Sequence, residues 1–190
     1  MANSDRPRGA TPVRYLGGAP YNGAGNLYAV DAANATAIFP GDFIVREADG
    51  NVAPYTGTGG GVLLGVCMGA GVDKQTFSNL DDLSQRYLAA STAGFVLVAD
   101  DPSIVFEIQE DDAGTALTSA AGGANCDVLA TAGSTTTGQS AHEIDRSTVA
   151  ATIAQLRLLR LVDREDNEYG DSATWEVLIN EHAYTTTAGV

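Results

Sequence analysis

Two histidines, His142 and His182, are the chain's only general bases of the kind usual near neutral pH. Gly138-Gln139-Ser140-Ala141-His142 superficially suggests a nucleophile turn. A GxSxG elbow, however, needs a second glycine and a strand-to-helix setting, so Ser140 reads as a loop serine. Carboxylates gather at Asp81-Asp82, Asp100-Asp101, Glu110-Asp111-Asp112 and from Asp163 to Glu168. Their oxygens suit calcium, yet none has the DxDxDG spacing of a calcium loop, and they read as solvated turns. Glycoside cleavage needs a carboxylate pair at a defined separation across a groove, which no spacing here supplies. Thr56-Gly57-Thr58-Gly59-Gly60-Gly61 lacks both the lysine of GxxxxGK[ST] and the GxGxxG spacing, so it is not a phosphate loop. Cys67 and Cys126 lie too far apart for a CxxC motif and read as buried small hydrophobes. The expectation is a protein without enzymatic activity, with no catalytic residue, metal or cofactor.

Charge narrows the partners. The formal net charge of −14 opposes a phosphate backbone, because nucleic-acid affinity comes largely from lysine and arginine releasing counterions. No direct nucleic-acid partner is expected. The charge is uneven: the first fifteen residues carry Arg6, Arg8 and Arg14 against Asp5 alone, so one end is basic and the body acidic. The polar start lacks the apolar stretch of a signal peptide, and no window is apolar for the ~20 residues of a membrane-spanning helix. Synthesis in a cytoplasm, with no membrane partner, is the expectation.

Positioning these residues falls to strands. Abundant glycine, 22 residues, and few Lys or Arg, 10 in all, disfavour helices held by pairs of opposite charge. Residues 1–26 mix Pro7, Pro12 and Pro20 with glycines at 9, 17, 18, 23 and 25, which resists both helix and central strand. An extended arm that folds onto a partner is predicted there. Strands are predicted at 27–30, 37–39 and 43–46, separated by a Pro40-Gly41-Asp42 turn and followed by the hairpin signal Asp49-Gly50. Val62 to Met68 is short and apolar enough for a strand buried on both sides. Residues 95–99 and 104–108 flank the turn Asp100-Asp101-Pro102-Ser103, and 111–138 reads as mostly loop. Between 147 and 162 a helix competes, but Leu156 and Leu158 alternate with Arg157 and Leu159, which favours a strand buried on both faces or against another subunit. Residues 175–179 alternate again.

The fold class is therefore all-β, an antiparallel β-barrel or sandwich, jelly-roll-like, with an extended N-terminal arm. Ser91-Thr92-Ala93-Gly94 divides a first β unit, 27–90, from a second, 91–190, packed into one body.

Several strings carry a resemblance that runs over nearly the whole chain. They are Met1 to Gly9 with Pro12-Val13-Arg14-Tyr15-Leu16-Gly17-Gly18; Pro40-Gly41-Asp42 with Ala48-Asp49-Gly50 and Leu64-Gly65-Val66; Gln75-Thr76-Phe77-Ser78-Asn79; Asp100-Asp101-Pro102 with Val105 to Gln109; and Val177 to His182. In these the chain resembles the capsid decoration, or cement, proteins of tailed bacteriophages. It departs at Leu80-Asp81, where the family pattern leads one to expect aromatic residues. The resemblance implies attachment to the outside of an icosahedral shell, with the major capsid protein and further copies of the chain, as a homotrimer, for partners. The arm is the expected gripping element, with Arg6, Arg8, Pro12, Arg14, Tyr15 and Tyr21 as its capsid-binding residues: the arginines for acidic shell residues, the tyrosines for small pockets. The rival readings are a head-fibre base or tail component, a surface-glycan hydrolase, and a carbohydrate-binding module, for which Trp175 and seven tyrosines offer little stacking platform.

Overall fold

Alternation of large apolar side chains along short runs produces strands whose two faces meet different surroundings. In the computed structural model, which describes residues 3–57, 61–150 and 152–185, these strands are β1 (Thr11–Tyr15), β2 (Asn26–Val30), β3 (Phe43–Arg46), β4 (Val52–Pro54), β5 (Gly65–Gly71), β6 (Gly94–Ala99), β7 (Ile104–Gln109), β8 (Asn125–Leu129), β9 (Glu143–Ala150), β10 (Leu156–Leu161) and β11 (Thr174–Ile179). A single 3₁₀ turn, Ser119–Ala121, is the one helical element among the described residues. Five strands form one antiparallel sheet in the order β2-β6-β5-β3-β4, and six form the other in the order β1-β7-β11-β10-β8-β9. The expected all-β antiparallel fold is present, in a sandwich-like arrangement. No closed barrel forms among the described residues: β2 and β4, the edges of the smaller sheet, approach one another without pairing.

Two apolar cores follow from the alternation. On β3 and β5, Phe43 and Val66 face a large core shared with the six-stranded sheet, where they meet Phe106, Cys126, Ile144, Leu156, Leu158, Trp175 and Val177. Their neighbours Ile44 and Cys67 turn to a second core within the smaller sheet, with Val30, Val52, Val96 and Val98. The strand starts at Gly65 rather than at Val62 and runs on to Gly71, and within it Val66 and Cys67 are buried on opposite sides, as the composition of the apolar run predicts. Each such side chain contributes roughly 1.5–3 kcal/mol when fully withdrawn from water, so these two strands tie the halves together. The chain passes from the larger sheet to the smaller between β1 and β2 and returns at the turn between β6 and β7, Asp100 to Ser103.

Three local outcomes differ from the sequence expectation. Residues 37–39 form no strand; Ile38 makes one isolated bridge to Leu88, and the Asp42 carboxylate takes the Phe39 amide at 2.8 Å, turning the chain before a ladder can extend. β8 rises inside the segment expected to be loop, because Cys126 and Val128 point into the large core while Asp127 does not. In β10 a bulge between Leu158 and Arg160 resets the alternation, so Arg157 and Arg160 both face outward and Leu161 packs inward. The leucine run therefore needs neither burial on both faces nor a neighbouring subunit.

The arm is extended, but it is ordered on its own body. β1 pairs with β7 as an edge strand, where proline is tolerated at Pro12. The chain then turns at residues 15–19 and runs back, with the Tyr21 amide on the Val13 carbonyl.

Candidate binding site at the N-terminal arm

Glutamine 109, at the end of β7, is the arm's central anchor. Its Oε1 accepts the Arg6 amide at 3.1 Å, and its Nε2 donates to Asp5 Oδ1 at 3.0 Å and to Glu143 Oε1 at 3.3 Å. Asn3 makes a second anchor: its side-chain amide donates to the Glu168 and Asp171 carbonyls and accepts the Glu168 amide, all within 2.9 Å. A third lies at Gly9, whose φ of +73° and close approach to the Gly41 carbonyl suit only glycine. The next amide, Ala10, donates to that same carbonyl at 2.9 Å. Burial pushes the Glu143 carboxyl up to about 7, and the negative charges of Asp5, Asp111 and Asp112 add to the rise.

Between these anchors Arg6 and Arg8 stay exposed, and among the described residues neither guanidinium forms an ion pair. They line a cleft of about 650 Å³ between the arm and the outer face of the six-stranded sheet. A third arginine there, Arg164, is already engaged by Glu107 at 3.4 Å and Asp166 at 3.5 Å.

The remaining arm residues face inward. Arg14 binds Glu176, which also takes Arg160 through two contacts of 2.9 and 3.0 Å. Burial alone would raise the Glu176 carboxyl, but hydrogen bonds from Arg160 and Arg14 outweigh it and hold the group below the ordinary value. Tyr15 and Tyr21 tilt against each other, ring centroids 6.0 Å apart, and pack on the large core; their hydroxyls go to Asn22 and the Ala24 carbonyl. Pro12 is buried in β1. Of the six residues singled out in the sequence, the structure leaves Arg6 and Arg8 presented outward.

Two polar assemblies escaped the sequence reading because their members are far apart in the chain. Arg146 of β9 is enclosed, and it binds the Ala113 and Gly114 carbonyls at 3.1 and 2.9 Å, Asp171 at 2.8 Å and Glu110 at 3.5 Å. Glu110, fully buried, also accepts Trp175 Nε1 at 3.0 Å. This network fastens the loop after β7 to β9 and β11. The second assembly joins Ser140, His142 and Asp42, but not as a nucleophile triad. The Ser140 hydroxyl accepts the His142 amide at 3.1 Å rather than bonding the imidazole, and His142 Nδ1 accepts the Phe43 amide at 3.2 Å. A triad would place the imidazole between serine and carboxylate. Burial raises Asp42 to about 6 and lowers His142 to about 4. Both thiols are buried and raised by burial.

Among the described residues, no group of three or more His, Cys, Asp or Glu side chains converges to hold a metal ion, and no helix is long and apolar enough to cross a membrane. Compared with family models, curated proteins and solved structures, the chain matches none.

Proposed function

We propose that this chain is a structural virion protein that binds the outer face of an icosahedral phage shell, as a homotrimer, and cements neighbouring major capsid protein subunits. The observation that carries the reading is the arm: Asn3, Gly9, Ala10 and Gln109 fix its backbone, while Arg6 and Arg8 form no ion pair among the described residues and stand above an acidic body. A segment ordered before binding loses little further entropy on docking, and arginine is well suited to carboxylates of a partner surface. Three copies of such a modest contact, related by symmetry, act at raised effective concentration. A protein that binds only the expanded shell stabilises it by mass action against the pressure of packaged DNA.

Deleting the whole arm would remove edge strand β1 and confuse loss of grip with loss of fold. The cleaner variant is Arg6→Glu with Arg8→Glu, mixed with undecorated expanded shells. The reading expects at least a ~10-fold loss of affinity, corresponding to about 1.4 kcal/mol, with an unchanged circular dichroism spectrum. Unchanged binding would remove the arm from the mechanism. Copy number separates this role from a head-fibre base or tail part, which a particle carries in few copies.

A further inference from the structure

The Pro40–Asp42 turn that receives the arm also borders a groove of about 420 Å³. Phe39, Tyr55, Ala130 and Ala132 give it apolar walls, and Asp42 and His142 also line it. Asp42 is 2% exposed. Its Oδ2 accepts the Phe39 amide, but Oδ1 has no hydrogen-bond partner among the described residues. The His142 Nε2 stands 3.6 Å from that oxygen, beyond hydrogen-bond reach. Because Nδ1 accepts the Phe43 amide, the neutral ring carries its proton on Nε2. The other groups facing the carboxyl are the Ser140 hydroxyl and the neutral Cys67 thiol of β5, so no cation among the described residues neutralises it.

A buried acceptor with an idle oxygen is unfavourable until a donor arrives, and an ionised acceptor favours a charged donor over a neutral one. We propose that the groove binds an alkyl chain ending in an ammonium or guanidinium group, the chemistry of a lysine or arginine side chain. The charged head meets Asp42 Oδ1, and the methylenes lie along Phe39, Tyr55 and Ala132. Long cationic side chains lie in this way on apolar surface with their charge at one end. The chain's net charge of −14 favours the approach of such a group and repels an anion. The site does not depend on what the arm grips.

The test is a carbon-13 NMR titration of the full-length protein with n-butylammonium chloride near pH 7.5, where the Asp42 carboxyl, with a pKa of about 6, is ionised. Asp42 and His142 signals should shift saturably, and sodium chloride of equal ionic strength should not reproduce the effect. Bound amine should lower the Asp42 pKa by about one unit or more. Asp42→Asn should weaken binding roughly 10-fold or more. Ala132→Phe, which narrows the groove and leaves the carboxylate in place, should do the same. A blocked Gly-Lys-Gly peptide that binds roughly 10-fold tighter than the free amine identifies a protein side chain as the ligand, and equal binding identifies a small amine. Absence of saturable shifts, or undiminished binding by Asp42→Asn, overturns the proposal.

Discussion

At Asp42 and His142, burial acts on two groups in opposite directions. The Asp42 carboxyl, raised from 3.8 to about 6, holds more protons folded than unfolded in that interval, so its contribution to stability falls as pH rises through it. His142, lowered from 6.5 to about 4, holds fewer when folded, so its contribution is complete above 6.5 and is lost as pH falls towards 4. Between about 4 and 6 the two slopes oppose each other. Glu143, raised from 4.5 to about 7, slopes the same way as Asp42, so Asp42→Asn combined with Glu143→Gln removes both, and the stability of that variant should then drop by up to about 3 kcal/mol on acidification from pH 6.5 to 4, measured by urea unfolding across that range. A flat profile would show that His142 is not held neutral. Arg146 supplies a second residue-scale prediction. Replacing it with methionine leaves the buried Glu110 charge without its cation and should cost about 3–5 kcal/mol in urea unfolding, part of which Glu110→Gln should restore. None of this pairing was legible in the sequence. Phe43 and His142 lie 99 residues apart, Arg146 and Glu110 lie 36 apart, and no local spacing brings such partners together.

Elements were easier to read than pairs. β2, β3, β6, β7 and β11 coincide with alternating apolar runs bounded by turn residues, since pleat and hydrophobic period share the value of two. Where a run of leucines outlasts one alternation, at β10, sequence shows the excess but not how the chain disposes of it. The bulge at Leu159 is what returns Arg160 to the outer face, opposite Glu176. The arm was read correctly as extended, but what holds it is Asn3, Gly9 and Gln109, which no motif marks. Gly9→Ala tests that anchorage. A Cβ there would sit 2.3 Å from the Gly41 carbonyl oxygen and require an unfavourable φ, a strain of about 1–3 kcal/mol. The arm should loosen, with faster hydrogen exchange at the Ala10 amide and faster tryptic cleavage after Arg8, while the core strands keep their protection. Wild-type rates at both places would mean that the arm is held elsewhere.

Across the whole molecule, two sheets share a core through β3 and β5, and the basic arm lies along the outer side of the larger sheet, ending in β1 at its edge. The proposed contact with another protein surface fits an acidic body with an ordered basic rim, because net negative charge opposes a phosphate backbone. That contrast was already visible in the sequence, where Arg6, Arg8 and Arg14 crowd one end of a chain of net charge −14. Arg14 is the exception the sequence could not show, because Glu176 claims it from a strand more than 160 residues away. The most direct test of the proposed role is electron cryomicroscopy of undecorated expanded shells saturated with the purified protein. The account predicts three-fold clusters of density on the outer surface, close to one copy per shell subunit, with residues 3–10 lying against the shell. Bare shells at saturating protein, or density confined to a few copies at a portal or tail, would contradict it.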